Sequence, residues 1–154
     1  MMRICYFGIY NSDYSRNRIL IDGLKKNGIH VVECNSRKDG LLKYFDLALK
    51  HYQLRRQYDV MVVGYPGYQA AILAKFLTRK PIIFDAFTSI YDSMVYDRGL
   101  VKPQSVRAFY YWFLDWLSMK VADVVLFETQ EHITYVSREF GIPEGKFRRI
   151  WIGA

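Results

Sequence analysis

The sequence has 154 residues and is 51% apolar, which suits a single domain with a hydrophobic core and excludes an intrinsically disordered chain. Its formal net charge of +7 indicates an anionic partner, namely nucleic acid, an anionic membrane surface or a phosphorylated substrate, and does not choose among the three. Its two cysteines, Cys5 and Cys34, lack the spacing of a zinc site, and no apolar run approaches the ~20 residues that span a bilayer, so we expect a cytoplasmic protein that can lie peripherally on the inner face of a membrane.

The first part of the chain predicts a strand, a helix and a second strand. Residues 4–10 form a short apolar run, as expected for a strand that is buried on both faces. A polar loop, residues 11–15, follows this strand. Residues 16–27 carry apolar side chains at helical spacing, and Gly28 is well placed to end that helix. Residues 29–34, which include Ile29, Val31, Val32 and Cys34, predict the second strand.

The same alternation continues along the chain. Residues 41–57 predict a helix, because apolar side chains recur there at helical spacing. Residues 59–64 (DVMVVG) predict the third strand. The next helix begins at Pro66 and extends to about Arg79, since a proline is well tolerated in the first turn of a helix.

The last strands and helices follow in the same order. The fourth strand is expected at residues 82–85, and a long polar and aromatic loop at residues 88–103 separates it from the next helix. Residues 104–122 predict a strongly aromatic helix, and residues 123–127 (DVVLF) predict the fifth strand. A helix capped by Thr129 is expected to end near Gly141.

A sixth strand, predicted at residues 147–152, completes a pattern that indicates an α/β fold. Strands that alternate with helices form a parallel sheet with right-handed crossovers, so we expect a Rossmann-like, doubly wound sheet with helices on both faces. Ligands of such sheets bind outside the carboxyl ends of the strands. The loops that meet this edge follow Tyr10, Gly64, Asp85 and Phe127.

We expect one domain at residues 1–154 and no internal repeat or linker. The sequence stops directly after the sixth predicted strand, at Gly153 and Ala154, without a further helix. That ending predicts that the domain is part of a longer protein, whose mass would be about twice that of this chain if a second domain of similar size follows.

Several segments have the order and spacing of motifs from one enzyme family. Residues 2–8 (MRICYFG) look like that family's first strand, and residues 122–129 (ADVVLFET) look like its "AD-apolar-(I/V)-x-x-(S/T)" strand and turn. Residues 141–147 (GIPEGKF) and 150–154 (IWIGA) look like its passage into a second domain. Residues 84–93 (FDAFTSIYDS) look like a variant that carries Asp in place of a His-containing loop. The sequence thus resembles the GT-B glycosyltransferases of the retaining family-4 type.

This resemblance implies that the chain is the N-terminal, acceptor-side domain of a glycosyltransferase. In the family, the C-terminal domain holds the nucleotide-sugar donor through a pair of glutamates, and that domain is absent from this sequence. The expected acceptor is a glycan or a lipid-linked acceptor, and no cofactor or metal is implied. The chain departs from the family in its first loop, because residues 10–15 contain no glycine to bring backbone donors close to a phosphate.

The polar residues at the predicted sheet edge are the candidate site. Asp85, at the end of a strand, is the candidate catalytic residue, since it could orient an acceptor hydroxyl or exchange a proton; the alternative is that it caps nearby backbone N–H groups. Arg98 could bind a phosphate, or could pair with a neighbouring aspartate and order its loop. The predicted acceptor-binding residues are Tyr10, Asn11, Ser12, Asp13, Ser15, Tyr65, Asp92, Arg98 and Thr129.

Basic and aromatic residues on two predicted helices are candidates for contact with an anionic membrane surface: Lys43, Lys50, Arg55, Arg56, Trp112 and Trp116. The alternatives are a solvated basic face and tryptophans that are buried in the core. A non-catalytic, membrane-adjacent subunit that pairs with a separate donor-binding chain is therefore the alternative function. We expect no nucleic-acid partner, because the basic residues are dispersed and no recognition motif is present. We also expect no metal site, because the three histidines lack ligand spacing.

Overall fold

The computed structural model of the protein describes residues 2–151 and contains one sheet of six parallel strands. The strand order across the sheet is β2-β1-β3-β4-β5-β6. The strands are β1 (Arg3–Gly8), β2 (His30–Asn35), β3 (Val60–Val63), β4 (Ile82–Phe87), β5 (Val124–Phe127) and β6 (Phe147–Arg149).

Helices connect these strands and cover both faces of the sheet. They are α1 (Ser15–Lys26), α2 (Leu42–Leu54), α3 (Tyr68–Leu77), α4 (Ile90–Asp92), α5 (Val106–Val121) and α6 (Gln130–Phe140). A π-helical turn, Ser93–Asp97, continues α4, and a 3-10 turn, Glu144–Lys146, precedes β6. The predicted Rossmann-like, doubly wound α/β fold is confirmed.

The sheet separates two hydrophobic clusters because successive side chains of a strand point to opposite faces. On one face, Ile4 and Tyr6 of β1 cluster with Ile21 of α1. On the other face, Cys5 and Phe7 cluster with side chains of α2, α3, α5 and α6. Right-handed crossovers explain this division, since the chain reverses its direction across the sheet after β2 and all later helices lie on the second face.

Local signals that the sequence provides for the last helix are confirmed. The Thr129 hydroxyl accepts a hydrogen bond from the backbone N–H of His132 at 3.1 Å, as an N-cap does. Gly141 ends α6 in the left-handed conformation, with φ of 63°. Of the predicted sixth strand, β6 covers Phe147–Arg149; Ile152 and the Gly153–Ala154 ending lie outside the described residues.

The structure corrects several predicted boundaries: α3 begins at Tyr68 and not at Pro66, β4 extends to Phe87, and β6 ends at Arg149. β1 ends at Gly8 and not at residue 10, because Gly8 turns the chain with φ of 149°. The predicted loop at residues 88–103 contains α4 and the π-helical turn, which the buried carboxylate of Asp115 holds in place by accepting hydrogen bonds from the Ser89 hydroxyl and the N–H groups of Ile90 and Tyr91. Burial raises the pKa of Asp115 to about 7, and these hydrogen bonds limit the rise.

No helix within residues 2–151 is long and apolar enough to cross a bilayer.

Candidate functional site

The chain changes direction across the sheet between β1 and β3. β1 lies between β2 and β3, and Phe7 near the end of β1 is level with Val63 at the end of β3. The loops after these two strands therefore begin side by side and open a crevice at the carboxyl edge, which is where open α/β sheets bind ligands. The first loop and Tyr65 of the loop after β3 meet here, through hydrogen bonds to Asn17 and through the contact of the Tyr14 and Tyr65 rings.

Two glycines let the loop after β3 pack tightly against its surroundings. A Cβ atom on Gly64 would overlap the ring of Tyr6, and one on Gly67 would overlap the carbonyl oxygen of Gly64 and lie 2.6 Å from Cγ1 of Val63. Because neither position has room for a side chain, the backbone of this loop lies directly on β1 and β3. The loop is thus fixed in position beside the crevice.

A buried asparagine, Asn17 in the first turn of α1, ties the two loops together. Its Oδ1 accepts a hydrogen bond from the Tyr6 hydroxyl at 2.9 Å. Its Nδ2 donates to the carbonyl oxygens of Asn11 at 3.1 Å and Tyr65 at 2.7 Å. Every polar atom of the Asn17 side chain is therefore used to hold the crevice, which accounts for an amide that is completely buried.

A buried ion pair between Arg16 and Asp85 lies next to the crevice. The Arg16 Nε lies 2.8 Å from Oδ2 of Asp85 and its Nη2 lies 2.6 Å from Oδ1, in a bidentate arrangement. The two side chains are 4% and 0% exposed. Burial raises the pKa of the Asp85 carboxyl, and the hydrogen bonds and charge of Arg16 oppose that rise.

This pairing bears on both roles that the sequence suggested for Asp85. Within residues 2–151 the hydrogen bonds that the carboxylate accepts come from the guanidinium of Arg16, so it does not cap nearby backbone N–H groups, and its side chain has no exposed surface. The geometry favours a positioning role, in which Asp85 orients Arg16 under the crevice. The catalytic role of Asp85 stays a prediction.

An aromatic cluster covers the ion pair. The Cζ atom of Arg16 lies 4.5 Å from the centre of the Phe87 ring, in a cation–π contact. The rings of Phe87 and Tyr65 are 5.1 Å apart, and those of Tyr65 and Tyr14 are 5.7 Å apart. Tyr14, Tyr65 and Phe87 thus bring one ring each from the loops after β1 and β3 and from the end of β4. Pockets that bind organic ligands typically combine such rings with a few polar groups.

Phe87 is held in an unfavourable backbone conformation. Its φ is 60°, which is a left-handed geometry that a bulky residue rarely adopts, and the pairing of β4 with β5 shifts between Asp85 and Phe87. Such a conformation costs on the order of 1–3 kcal/mol and is found most often at functional sites. Here it turns the Phe87 ring over Arg16 and towards Tyr65.

A cleft of about 420 Å³ lies beside this cluster, between the loops after β1 and β2. The Asn35 side chain fixes its wall by donating to the Tyr10 carbonyl at 2.8 Å and accepting from the Tyr10 N–H at 3.3 Å. The lining residues include four that the sequence predicted and two polar ones that it did not: Ile9, Tyr10, Asn11, Ser12, Asp13, Ser36 and Arg37. Ser36 and Arg37 follow β2, so their place at the carboxyl edge could have been inferred from the strand alone.

The other predicted site residues are more dispersed. Ser15 is exposed at the start of α1, and Thr129 is used as the N-cap of α6. Asp92 is half-buried in α4, whereas Arg98 is exposed after the π-helical turn. The alternative of an ion pair between Arg98 and a nearby aspartate is not formed within residues 2–151. Arg98 therefore projects from its loop.

The predicted membrane-facing residues divide into two groups. Trp112 and Trp116 are half-buried and stack on each other, and the Trp112 indole N–H donates to Glu139 of α6 at 3.0 Å. Trp112 also packs on Phe140 of α6, and both tryptophans pack against the hydrophobic core, as the core alternative stated. Lys50 pairs with Asp46 at 2.8 Å. Lys43, Arg55 and Arg56 are half-buried or exposed on and after α2.

No group of three or more His, Cys, Asp or Glu side chains in the described part of the chain is arranged to hold a metal ion.

Comparison with known proteins supports the fold. No protein-family model matches the chain, and no curated protein matches it significantly. Among solved structures, the chain is similar to HepE from Anabaena, whose crystal structure is a complex with UDP. The TM-score is 0.56 at 13% sequence identity, and the match covers 100% of this chain and 44% of the HepE chain. The chain thus spans less than half of that protein, and its fold matches one half-domain of the GT-B architecture.

Proposed function

We propose that this chain is the N-terminal, acceptor-binding domain of a glycosyltransferase of the GT-B, retaining family-4 type. The whole protein would transfer a sugar from a nucleotide-sugar donor to a glycan or lipid-linked acceptor. The observation that carries the proposal is a polar cleft between the loops after β1 and β2, beside an aromatic cluster and a buried ion pair at the loops after β1 and β3. The likeness of the fold to HepE, solved with UDP, supports it.

The polar cleft and the aromatic cluster contact different parts of an acceptor. The side chains of Asn11, Ser12 and Asp13 supply hydrogen-bond donors and acceptors for sugar hydroxyls, and Asp13 adds a charge-assisted bond. The rings of Tyr65 and Phe87 offer an apolar surface for the carbon face of a sugar. Arg37 is exposed at the cleft and can bind a phosphate.

The contribution of this domain to the reaction is positioning. In the transfer, the bond from the anomeric carbon to the diphosphate oxygen breaks, a bond to the acceptor oxygen forms, and the proton of the acceptor hydroxyl passes to the leaving diphosphate. Holding that hydroxyl close to the donor makes the reaction effectively intramolecular. The Arg16–Asp85 pair and Asn17 keep the acceptor loops in a fixed geometry, and the donor would lie on the second domain.

The test is a transfer assay on the protein expressed from its complete gene. The donors are radiolabelled UDP-glucose, UDP-galactose, UDP-N-acetylglucosamine and GDP-mannose, and the acceptors are the glycan and lipid extracts of the same cells. We expect label to be incorporated from at least one donor only when acceptor is present, with the anomeric configuration of the donor retained in the product.

Other outcomes have distinct meanings. Incorporation with inverted configuration would contradict the retaining assignment. Incorporation only after a separate donor-binding chain is added would replace the proposal with the subunit alternative. No incorporation from any donor would refute the proposed function.

A further inference from the structure

The outer surface of α2 is apolar although it faces water. Leu42, Phe45, Leu49 and Tyr52 recur at three- and four-residue intervals and are all exposed, with Phe45 73% exposed. Leu47 and His51, which are buried, lie on the opposite side of α2, where the helix packs on the sheet. A helix on a soluble domain normally presents polar side chains outwards, so this stripe needs a partner that covers it.

The apolar surface continues across the neighbouring helices. α2, α3 and α5 pack on the same face of the sheet, with α3 between the other two. Phe76 of α3 is 84% exposed, and Phe109 and Phe113 of α5 are also exposed. We call the exposed side of these three helices the outer helix face. Its large apolar residues are Leu42, Phe45, Leu49, Tyr52, Phe76, Val106, Phe109, Tyr110 and Phe113.

The exposed charged side chains of the outer helix face are positive. The only carboxylates within α2, α3 and α5 are Asp46 and Asp115. Asp115 is buried, and the Asp46 side chain is 12% exposed and pairs with Lys50 at 2.8 Å and with Lys38 at 3.5 Å. The same helices carry the cations Lys43, Lys50, Lys75, Arg107 and Lys120.

We propose that the outer helix face docks on an anionic lipid surface. Exposed phenylalanines and leucines among lysines and arginines are the composition of surfaces that lie in the membrane interface, where apolar side chains enter the acyl boundary and cations contact anionic headgroups. A second copy of the chain fits less well, because it would bring the exposed cations Lys75, Arg107 and Lys120 of both copies together. Nucleic acid would leave the apolar residues uncovered. The proposal is independent of the proposed function.

This surface differs from the one predicted from the sequence. The basic residues on α2 are retained, whereas the tryptophans expected to anchor the protein are half-buried and pack against the hydrophobic core. The apolar contacts with lipid would come from Phe45, Leu49 and the phenylalanines of α3 and α5.

Sedimentation with vesicles tests the proposal on the 154-residue chain. One set of vesicles is phosphatidylcholine alone, and the other contains roughly 30 mol % phosphatidylglycerol at low salt. We expect binding to the anionic vesicles and much weaker binding to the neutral ones. The double substitution Phe45→Gln with Leu49→Gln should weaken binding by roughly tenfold or more, because it removes two inserted apolar side chains.

Two charge variants test whether vesicle binding depends on the outer helix face or only on the net positive charge of the chain. Lys75→Gln with Arg107→Gln removes two exposed cations from the outer helix face, and Arg18→Gln with Lys26→Gln removes two exposed cations from α1 on the opposite face of the sheet. The first pair should weaken vesicle binding by roughly tenfold and the second should change it little. The substituted side chains are all exposed, so each variant should keep the thermal stability of the parent chain.

Two results would overturn the proposal: no sedimentation with anionic vesicles, and equal effects of the two charge variants. The first could be accompanied by a dimer in analytical ultracentrifugation that Phe45→Gln with Leu49→Gln dissociates. Such a dimer would assign the face to self-association.

Discussion

Arg16→Met lowers the free energy of unfolding by roughly 3–5 kcal/mol, because it leaves the fully buried Asp85 carboxylate without a counter-charge. For a chain of this length the melting temperature should fall by roughly 10 °C. The loss should be smaller in acid, because the isolated carboxyl can then take up a proton, whereas at neutral pH it must either remain charged in the interior or bind a proton at a cost. Urea unfolding followed by circular dichroism at both pH values measures the effect.

An exposed pair of the same type is the control. Arg3 pairs with Asp59 at 2.7 Å, but both side chains are 45% exposed, so Arg3→Met should cost less than ~1 kcal/mol. Arg16→Met combined with Asp85→Leu should recover much of the lost stability, since no buried charge then remains. If Arg16→Met and Arg3→Met have equal costs, the ion pair does not support the crevice as described.

Gly67→Ala should destabilise the fold by about 1–3 kcal/mol, because the added methyl group meets backbone and not a flexible side chain. It would overlap the carbonyl oxygen of Gly64 and lie 2.6 Å from Cγ1 of Val63, so the loop after β3 must move away from the crevice. The backbone of Gly67 has φ of −127°, which alanine can adopt, and the cost is therefore steric. Chemical denaturation measures the change in stability.

Gly23→Ala is the matched substitution in an open position. Gly23 lies within α1, and a Cβ atom there meets nothing within 4 Å. The change should stabilise the protein by about 0.5–1 kcal/mol, since alanine loses less backbone entropy than glycine on folding and favours the helix. A similar gain from Gly67→Ala would show that the loop after β3 does not lie as close to β3 as the structure has it.

The fold was accessible from the sequence because its signals are local. Apolar runs and helical spacing predict the strands and helices, and Thr129 and Gly141 predict the ends of α6. The first loop could also be placed at the sheet edge, since it follows a strand. This is why Tyr10, Asn11, Ser12 and Asp13 were predicted together and lie together in one cleft.

The contacts that hold the loops after β1 and β3 join residues that are distant in the sequence, and no local pattern signals them. Arg16 and Asp85 are 69 positions apart, and in sequence Arg16 is one more basic residue at the start of a helix. Asn17 likewise contacts Tyr65, 48 positions away. The left-handed backbone conformation at Phe87 could not be predicted either, because the residues that usually adopt it are glycine and asparagine. The sequence of α5 is rich in aromatic residues at most positions around the helix. Its periodicity therefore cannot indicate which rings face α6.

The claim that the cleft beside β1 binds the acceptor is tested most directly by Asp13→Asn, assayed with the acceptor found in the transfer assay. Asp13 is exposed at the cleft, and its backbone N–H keeps its hydrogen bond to the Asn11 side chain at 2.9 Å, so the loop should retain its shape. Asp22→Asn, an exposed position on α1 outside the cleft, is the control. The account predicts that Asp13→Asn raises the KM for acceptor by roughly tenfold or more through loss of a charge-assisted hydrogen bond, with the KM for donor unchanged and Asp22→Asn like the parent protein. An unchanged acceptor KM in Asp13→Asn, or an equal rise in Asp22→Asn, would contradict it.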